Sequence, residues 1–219
     1  MRLKSSLPLV TAVMMAASCS QDNAPSLAVP GDYYPATTTS RNYLRESINP
    51  ATKEILLTDT IQIVYDTDVA FNNKTYTKLD FLSKWLNADN VPVINRDVYA
   101  LFRKEASQYF TPNSSDSSEY IFLDTQKGVG SSWTIYQGFE NESKTIHTVK
   151  AVNATRVVNG VTYKNVIEIL QEGYYSFNKG PYELGYSETS YYSKDIGRIY
   201  RRSDFYSYPG TLRITLLDK

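Results

Sequence analysis

Val157-Val158-Asn159-Gly160-Val161-Thr162-Tyr163 places a run of β-formers on each side of Asn-Gly. A two-residue hairpin of type I′ needs φ > 0 at both central positions. Asn and Gly tolerate that and β-branched residues do not, so the heptapeptide predicts two antiparallel strands joined by a tight turn. Upstream, Lys144 to Asn153 alternates, with Ile146, Thr148, Lys150 and Val152 on one face and Thr145, His147, Val149 and Ala151 on the other. Downstream, Tyr163 to Leu170 carries Val166, Ile167 and Ile169. The same strand signature extends outward in both directions. Lys53 to Asp66, Val93 to Lys104, Ser107 to Thr111, Tyr120 to Asp124 and Ser132 to Gln137 precede the hairpin. Glu188 to Ser193 and Arg198 to Ser203 follow it after a Tyr/Gly loop, and Pro209-Gly210 then turns the chain into Thr211 to Leu217. Phe81 to Leu86 suits a short helical turn and a strand end equally. No long amphipathic segment separates the strands, so βαβ units are disfavoured. The expected fold is mainly β: a single antiparallel curved sheet or half-barrel with at most a short helix.

The hairpin has one internal echo. Asn72-Asn73-Lys74-Thr75-Tyr76-Thr77-Lys78-Leu79 aligns with Asn159-Gly160-Val161-Thr162-Tyr163-Lys164-Asn165-Val166, both a tight turn followed by Thr-Tyr. Hairpins resemble one another, and that explanation is preferred over a duplicated half-sheet; one echo is too few for a solenoid or propeller.

At the N-terminus, Arg2 and Lys4 precede an apolar run from Leu7 to Ala17, which ends at Cys19, the only cysteine among 219 residues. The run is shorter than the roughly 20 residues that span a bilayer, and it has the basic, apolar and small-residue parts of a secretory signal. Ala16-Ala17-Ser18-Cys19 resembles the lipobox of bacterial lipoproteins, although Ala16 stands where leucine is commoner. That resemblance implies cleavage before Cys19 and acylation of its thiol. The implied partner is the lipid bilayer, and the implied address is the cell envelope. Ser20, rather than Asp, follows the cysteine, which by the same resemblance favours the outer membrane. The expected organisation is a signal over 1–18, a flexible Pro- and Gly-bearing tether over 19–39, and one antiparallel β domain over 40–219, with folded structure from about Tyr33.

Loss of residues 1–18 leaves 201 residues, enough for one sizeable core, with 21 basic and 23 acidic side chains. A balance near −2 offers no electrostatic case for nucleic acid. With Cys19 acylated, no thiol remains for a disulfide, a metal thiolate or a nucleophile. Tyrosine dominates the aromatics, with 19 copies against 8 Phe and 2 Trp. Its ring packs while its hydroxyl stays solvated, which suits strands and half-wet surfaces.

Four motifs occur in order along the chain: Tyr33-Tyr34-Pro35; Asn72-Asn73-Lys74-Thr75-Tyr76; Val158-Asn159-Gly160-Val161-Thr162-Tyr163-Lys164-Asn165-Val166; and Tyr191-Tyr192-Ser193-Lys194-Asp195-Ile196-Gly197-Arg198-Ile199. Together they resemble a group of uncharacterised bacterial envelope lipoproteins. The chain departs from the group's pattern at Ala36 and Asp195. The resemblance implies a curved antiparallel sheet similar to the half-barrels of lipoprotein-carrier proteins, and it implies no catalysis.

The candidate chemistry is sparse. His147, the only histidine, lacks a Gly-x-Ser-x-Gly elbow or a Cys partner and reads as a strand-face residue. One histidine and no free thiol leave no zinc site. Asp66 and Asp68, with Asp59 nearby, supply oxygen ligands without the spacing of a calcium loop, so they read as a solvated strand end. Glu140, Glu142, Glu168 and Glu172 contain the makings of a carboxylate pair, as any set of 23 acids does. Gly128-Val129-Gly130 reads as a turn. No cofactor is expected.

The best candidates for a binding surface are the tyrosine pairs. In Tyr33-Tyr34, Tyr174-Tyr175 and Tyr191-Tyr192, strand alternation sends one ring to each side of the sheet, and Tyr182, Tyr186, Tyr206 and Tyr208 join them as candidates; core and edge packing is the plainer explanation. The leading functional expectation is a non-catalytic, membrane-tethered β domain that binds a hydrophobic, glycan or peptide ligand, or a partner protein. A structural or assembly lipoprotein ranks second, and a carboxylate-dependent hydrolase last.

Overall fold

The computed structural model describes residues 27–35, 39–86, 92–113, 118–138, 142–178, 180–206 and 210–217. The signal stretch 1–18, the acylation candidate Cys19 and residues 20–26 lie outside the described residues. The described residues form twelve strands. The first six are β1 (Thr39–Ile48), β2 (Ile55–Phe71), β3 (Lys74–Leu86), β4 (Pro92–Glu105), β5 (Gln108–Pro112) and β6 (Glu119–Asp124). The second six are β7 (Ser132–Gln137), β8 (Ser143–Val158), β9 (Val161–Ser176), β10 (Tyr182–Ser193), β11 (Gly197–Phe205) and β12 (Gly210–Leu216). There is no helix among the described residues; Phe81 to Leu86, open between helix and strand in the sequence, completes β3.

All pairings are antiparallel, and the sheet runs β6-β5-β4-β3-β2-β1-β12-β11-β10-β9-β8-β7. This is an up-and-down meander whose first and last strands pair, Tyr43 opposite Leu216 and Ile48 opposite Thr211. The sheet curls into a nearly closed barrel whose two edges, β6 and β7, face each other. Side chains bridge that seam: the Trp133 indole N–H donates to the Ile121 carbonyl at 2.8 Å.

Antiparallel alternation puts the turns β2–β3, β4–β5, β8–β9 and β10–β11 at one end of the barrel and the other hairpins at the opposite end. The Asn-Gly turn joins β8 to β9, with φ of 50° at Asn159 and 75° at Gly160. Its echo, Asn72-Asn73, has φ of 50° and 59° and joins β2 to β3, six strands earlier.

Two strand stretches escape a hydrophobic pattern. In β1, Tyr43 and Arg45 lie opposite Leu216 and Ile214 of β12 and face the interior with Arg41 and Ser47. Inward arginines erase the alternation that marks a strand. The expected Tyr/Gly loop is instead the paired ends of β9 and β10, with a register shift between Leu184 and Tyr186.

Residues 27–35 have the composition of a tether, yet they cross the barrel end where the even-to-odd turns gather. Asn153 of β8 holds them in both directions: its Nδ2 donates to the Leu27 carbonyl and its Oδ1 accepts from the Val29 N–H, both at 2.7 Å. The Asp195 N–H of the β10–β11 turn donates to the Asp32 carbonyl, and Lys104 pairs with the Asp32 carboxylate. Tyr33 is fully buried, and its N–H donates to the Tyr109 hydroxyl at 2.7 Å. Tyr34 projects into the barrel and meets the rings of Phe102, Tyr109, Phe122, Tyr192 and Tyr65, with centroids 4.7 to 6.2 Å away. The aromatic core therefore sits at this end, and it stops the barrel.

Candidate functional site

Above the Tyr34 plug the barrel holds a cavity of about 470 Å³. That is within the range of small-molecule sites, about 300–1,000 Å³. Its floor is the aromatic core, with Tyr34, Phe102, Phe122 and Tyr192. Its upper wall is formed by strand ends at the far side of the barrel, among them Gln137 of β7, Tyr175 of β9 and Phe205 of β11.

A polar belt runs along the middle of the wall. Glu188 of β10 is 5% exposed and fully engaged. It accepts from Arg201 Nε at 2.7 Å, from the Ser203 hydroxyl at 2.9 Å and from the Ser190 hydroxyl at 3.1 Å. A buried carboxylate persists only when paired and hydrogen-bonded in this way. Strand register brings the partners together, since Glu188 lies opposite Ser203 and Ser190 opposite Arg201. Above the floor, the Tyr34 hydroxyl bonds to that of Tyr192, and the Tyr43 hydroxyl donates to the Arg198 carbonyl at 2.9 Å. Burial pushes the Tyr34 and Tyr43 hydroxyls well up and the Tyr192 hydroxyl up, so they stay protonated.

His147 belongs to this belt. It is 2% exposed, stacked on Trp133 with centroids 5.0 Å apart, and its Nδ1 lies 3.1 Å from Gln171 Nε2. It also hydrogen-bonds the backbone of Phe122 across the seam. Burial holds its pKa down at about 4, against the smaller opposing pull of Glu188. The ring is therefore neutral at physiological pH, and it helps bind β6 to the second half of the barrel. No serine-histidine-acid arrangement is present around it among the described residues.

The tyrosine pairs divide between the two faces. Tyr175 and Tyr192 line the cavity. Tyr174 lies outside with Lys144 5.3 Å from its ring centroid, and Tyr191 stacks outside on Tyr200 at 4.8 Å. Reading the sequence singled out Tyr174, Tyr175, Tyr191 and Tyr192, with Tyr186 among the further tyrosines, and missed Glu188 and Arg201, which line the same wall. The signal for them was Glu188-Thr189-Ser190 alternation, polar on the inward face, which a hydrophobic pattern does not reveal. Of the aspartates weighed as ion ligands, Asp66 lies 3.8 Å from Lys78, and Asp68 accepts from the Thr77 hydroxyl at 3.1 Å. Among the described residues, no group of three His, Cys, Asp or Glu converges as a metal site would require. Glu168, one of the acids considered for hydrolysis, pairs with Arg156 at 2.6 Å and does not line the cavity.

Two glycines shape the cavity mouth. A Cβ on Gly173 would lie 1.9 Å from the Tyr186 ring, and one on Gly185 would lie 2.2 Å from the Tyr175 ring. Each ring therefore occupies the space that a side chain on the neighbouring strand's glycine would fill, and both rings line the cavity.

No protein-family model matches the sequence, and no curated protein matches it. Two solved structures align with the chain. One is described as an exported protein with a YmcC-like fold from Bacteroides fragilis, 10% identical, with a TM-score of 0.49, covering 85% of this chain and 98% of the other. The second is described as a lipoprotein from Parabacteroides distasonis, 9% identical, with a TM-score of 0.45, covering 86% and 98%.

Proposed function

We propose that the protein is a lipid-anchored envelope protein whose barrel binds a small ligand without transforming it. The cavity carries this reading. It is stopped at one end by Tyr34, open at the other, and lined by fixed side chains, which is how preformed ligand sites are built. Glu188 is the one carboxylate among the described residues lining it, whereas general acid–base hydrolysis of a glycoside takes two. The anchor rests on the Leu7–Cys19 signal. Residues 27–35 meet the barrel at its plugged end, opposite the mouth.

Native mass spectrometry of the mature protein, isolated from its own envelope, tests the binding reading: a bound small-molecule mass is expected, and repeated recovery of the bare chain counts against it. The anchor has its own test. Cys19→Ala is expected to abolish incorporation of labelled palmitate, and undiminished label would remove the lipoprotein reading.

A further inference from the structure

Resting on that ligand-binding reading, we infer that the cavity takes the terminal sugars of a neutral glycan, stacked on Tyr175 and Tyr186. The lining sets the ligand class. Of its 24 described residues, five are aliphatic, ten are Tyr or Phe, and nine carry other polar side chains, a composition that disfavours an acyl chain. An alkyl ligand would strip water from Gln171 and Arg201 without returning a hydrogen bond, and each such loss is costly. A sugar does the opposite. Its hydroxyls donate and accept, and they meet amides and a hydroxyl that also do both, at Gln137, Thr145 and Gln171.

The rings supply the second half of the recognition. A sugar ring exposes C–H bonds on its face, and these carry partial positive charge toward the negative face of an aromatic ring. Tyr175 and Tyr186 have room at the mouth because Gly185 and Gly173 lack side chains, and both rings line the cavity. Arg201, whose Nε is fixed on Glu188, lines the same wall and brings guanidinium donors to a sugar hydroxyl. Outside the cavity, the platform continues. Among the described residues, nine of the thirteen exposed large hydrophobics lie at the mouth end, including Tyr136, Phe177 (75% exposed), Leu184 and Tyr206. A chain longer than the cavity would run over this rim.

The test is isothermal titration calorimetry on the full mature chain carrying Cys19→Ala. The probes are neutral oligosaccharides of glucose, galactose, mannose and N-acetylglucosamine, with palmitate and phosphatidylglycerol as rivals. Saturable binding of at least one oligosaccharide is expected. Tyr175→Ala should weaken it roughly tenfold, as loss of a stacked ring implies, while Tyr175→Phe retains it. Tyr174→Ala and Tyr191→Ala, on the outer face, should leave it unchanged. Tyr175 is 42% exposed, so its truncation leaves the fold intact, and a thermal melt checks this. Binding of a lipid probe with no sugar would overturn the glycan inference and keep the binding reading. Binding of neither class would overturn both. Sugar binding indifferent to Tyr175→Ala would place the site elsewhere and overturn the assignment.

Discussion

At the scale of single residues, two interior side chains make opposite demands on water. His147 is neutral because burial holds its pKa near 4, below the ordinary 6.5. The unfolded chain therefore takes up a proton first as pH falls, so this group's contribution is complete above pH 6.5 and is lost between 6.5 and 4. The loss amounts to at most about 3 kcal/mol. Urea titrations at pH 7 and pH 4.5 are expected to show that difference shrinking in His147→Gln, and an unaltered difference would contradict the account. Tyr34 acts through packing. Tyr34→Ala empties a site bounded by five rings and should cost about 3–5 kcal/mol, whereas Tyr34→Phe gives up only the bond to Tyr192, about 1 kcal/mol. Equal costs for the two variants in chemical denaturation would show that the hydroxyl, not the ring, is what matters.

At the scale of elements, glycine serves two separate purposes. Gly160 supplies positive φ in the β8–β9 turn, and an added Cβ there meets nothing within 4 Å. Gly160→Ala should therefore cost only the backbone strain, about 1 kcal/mol. Gly173 makes room for a ring, and Gly173→Ala forces Tyr186 away at about 1–3 kcal/mol of overpacking. Thermal melts with near-ultraviolet circular dichroism separate the two: the tyrosine signal should change for Gly173→Ala and persist for Gly160→Ala. The Asn-Gly hairpin was legible in the sequence because its cause is local. The strand β1 was not, because Arg41 and Arg45 face an interior that only the assembled barrel provides. The same holds for the ends of β9 and β10, whose Tyr and Gly residues read as a loop until the rings are seen to fill the space that the neighbouring strand's glycines leave.

At the scale of the molecule, closure depends on the pairing of β1 with β12, whose partners Tyr43 and Leu216 lie at opposite ends of the sequence. Such non-local pairing is slow to form and contributes late. Deleting residues 210–219 removes the ladders to both β1 and β11 and leaves two long unpaired edges. Loss of a cooperative melt and aggregation of the truncated chain are expected; a sigmoidal melt near that of the intact protein would show that the seam at β6–β7 and the Tyr34 plug suffice to hold the barrel.

The sequence by itself determined the β class, the antiparallel order and the tight turns, since alternation and positive φ are properties of a few neighbouring residues. It also carried the lipoprotein expectation in the stretch ending at Cys19. Only the tertiary structure decided that the tether's Tyr34 becomes the stopper of a barrel, that Tyr175 and Tyr186 face inward over glycines, and that Glu188, Arg201 and His147 share one wall. Those facts depend on how far a twisted sheet curls before its edges meet. That curl is the sum of bulges, register and packing over twelve strands, and no short stretch of sequence encodes it.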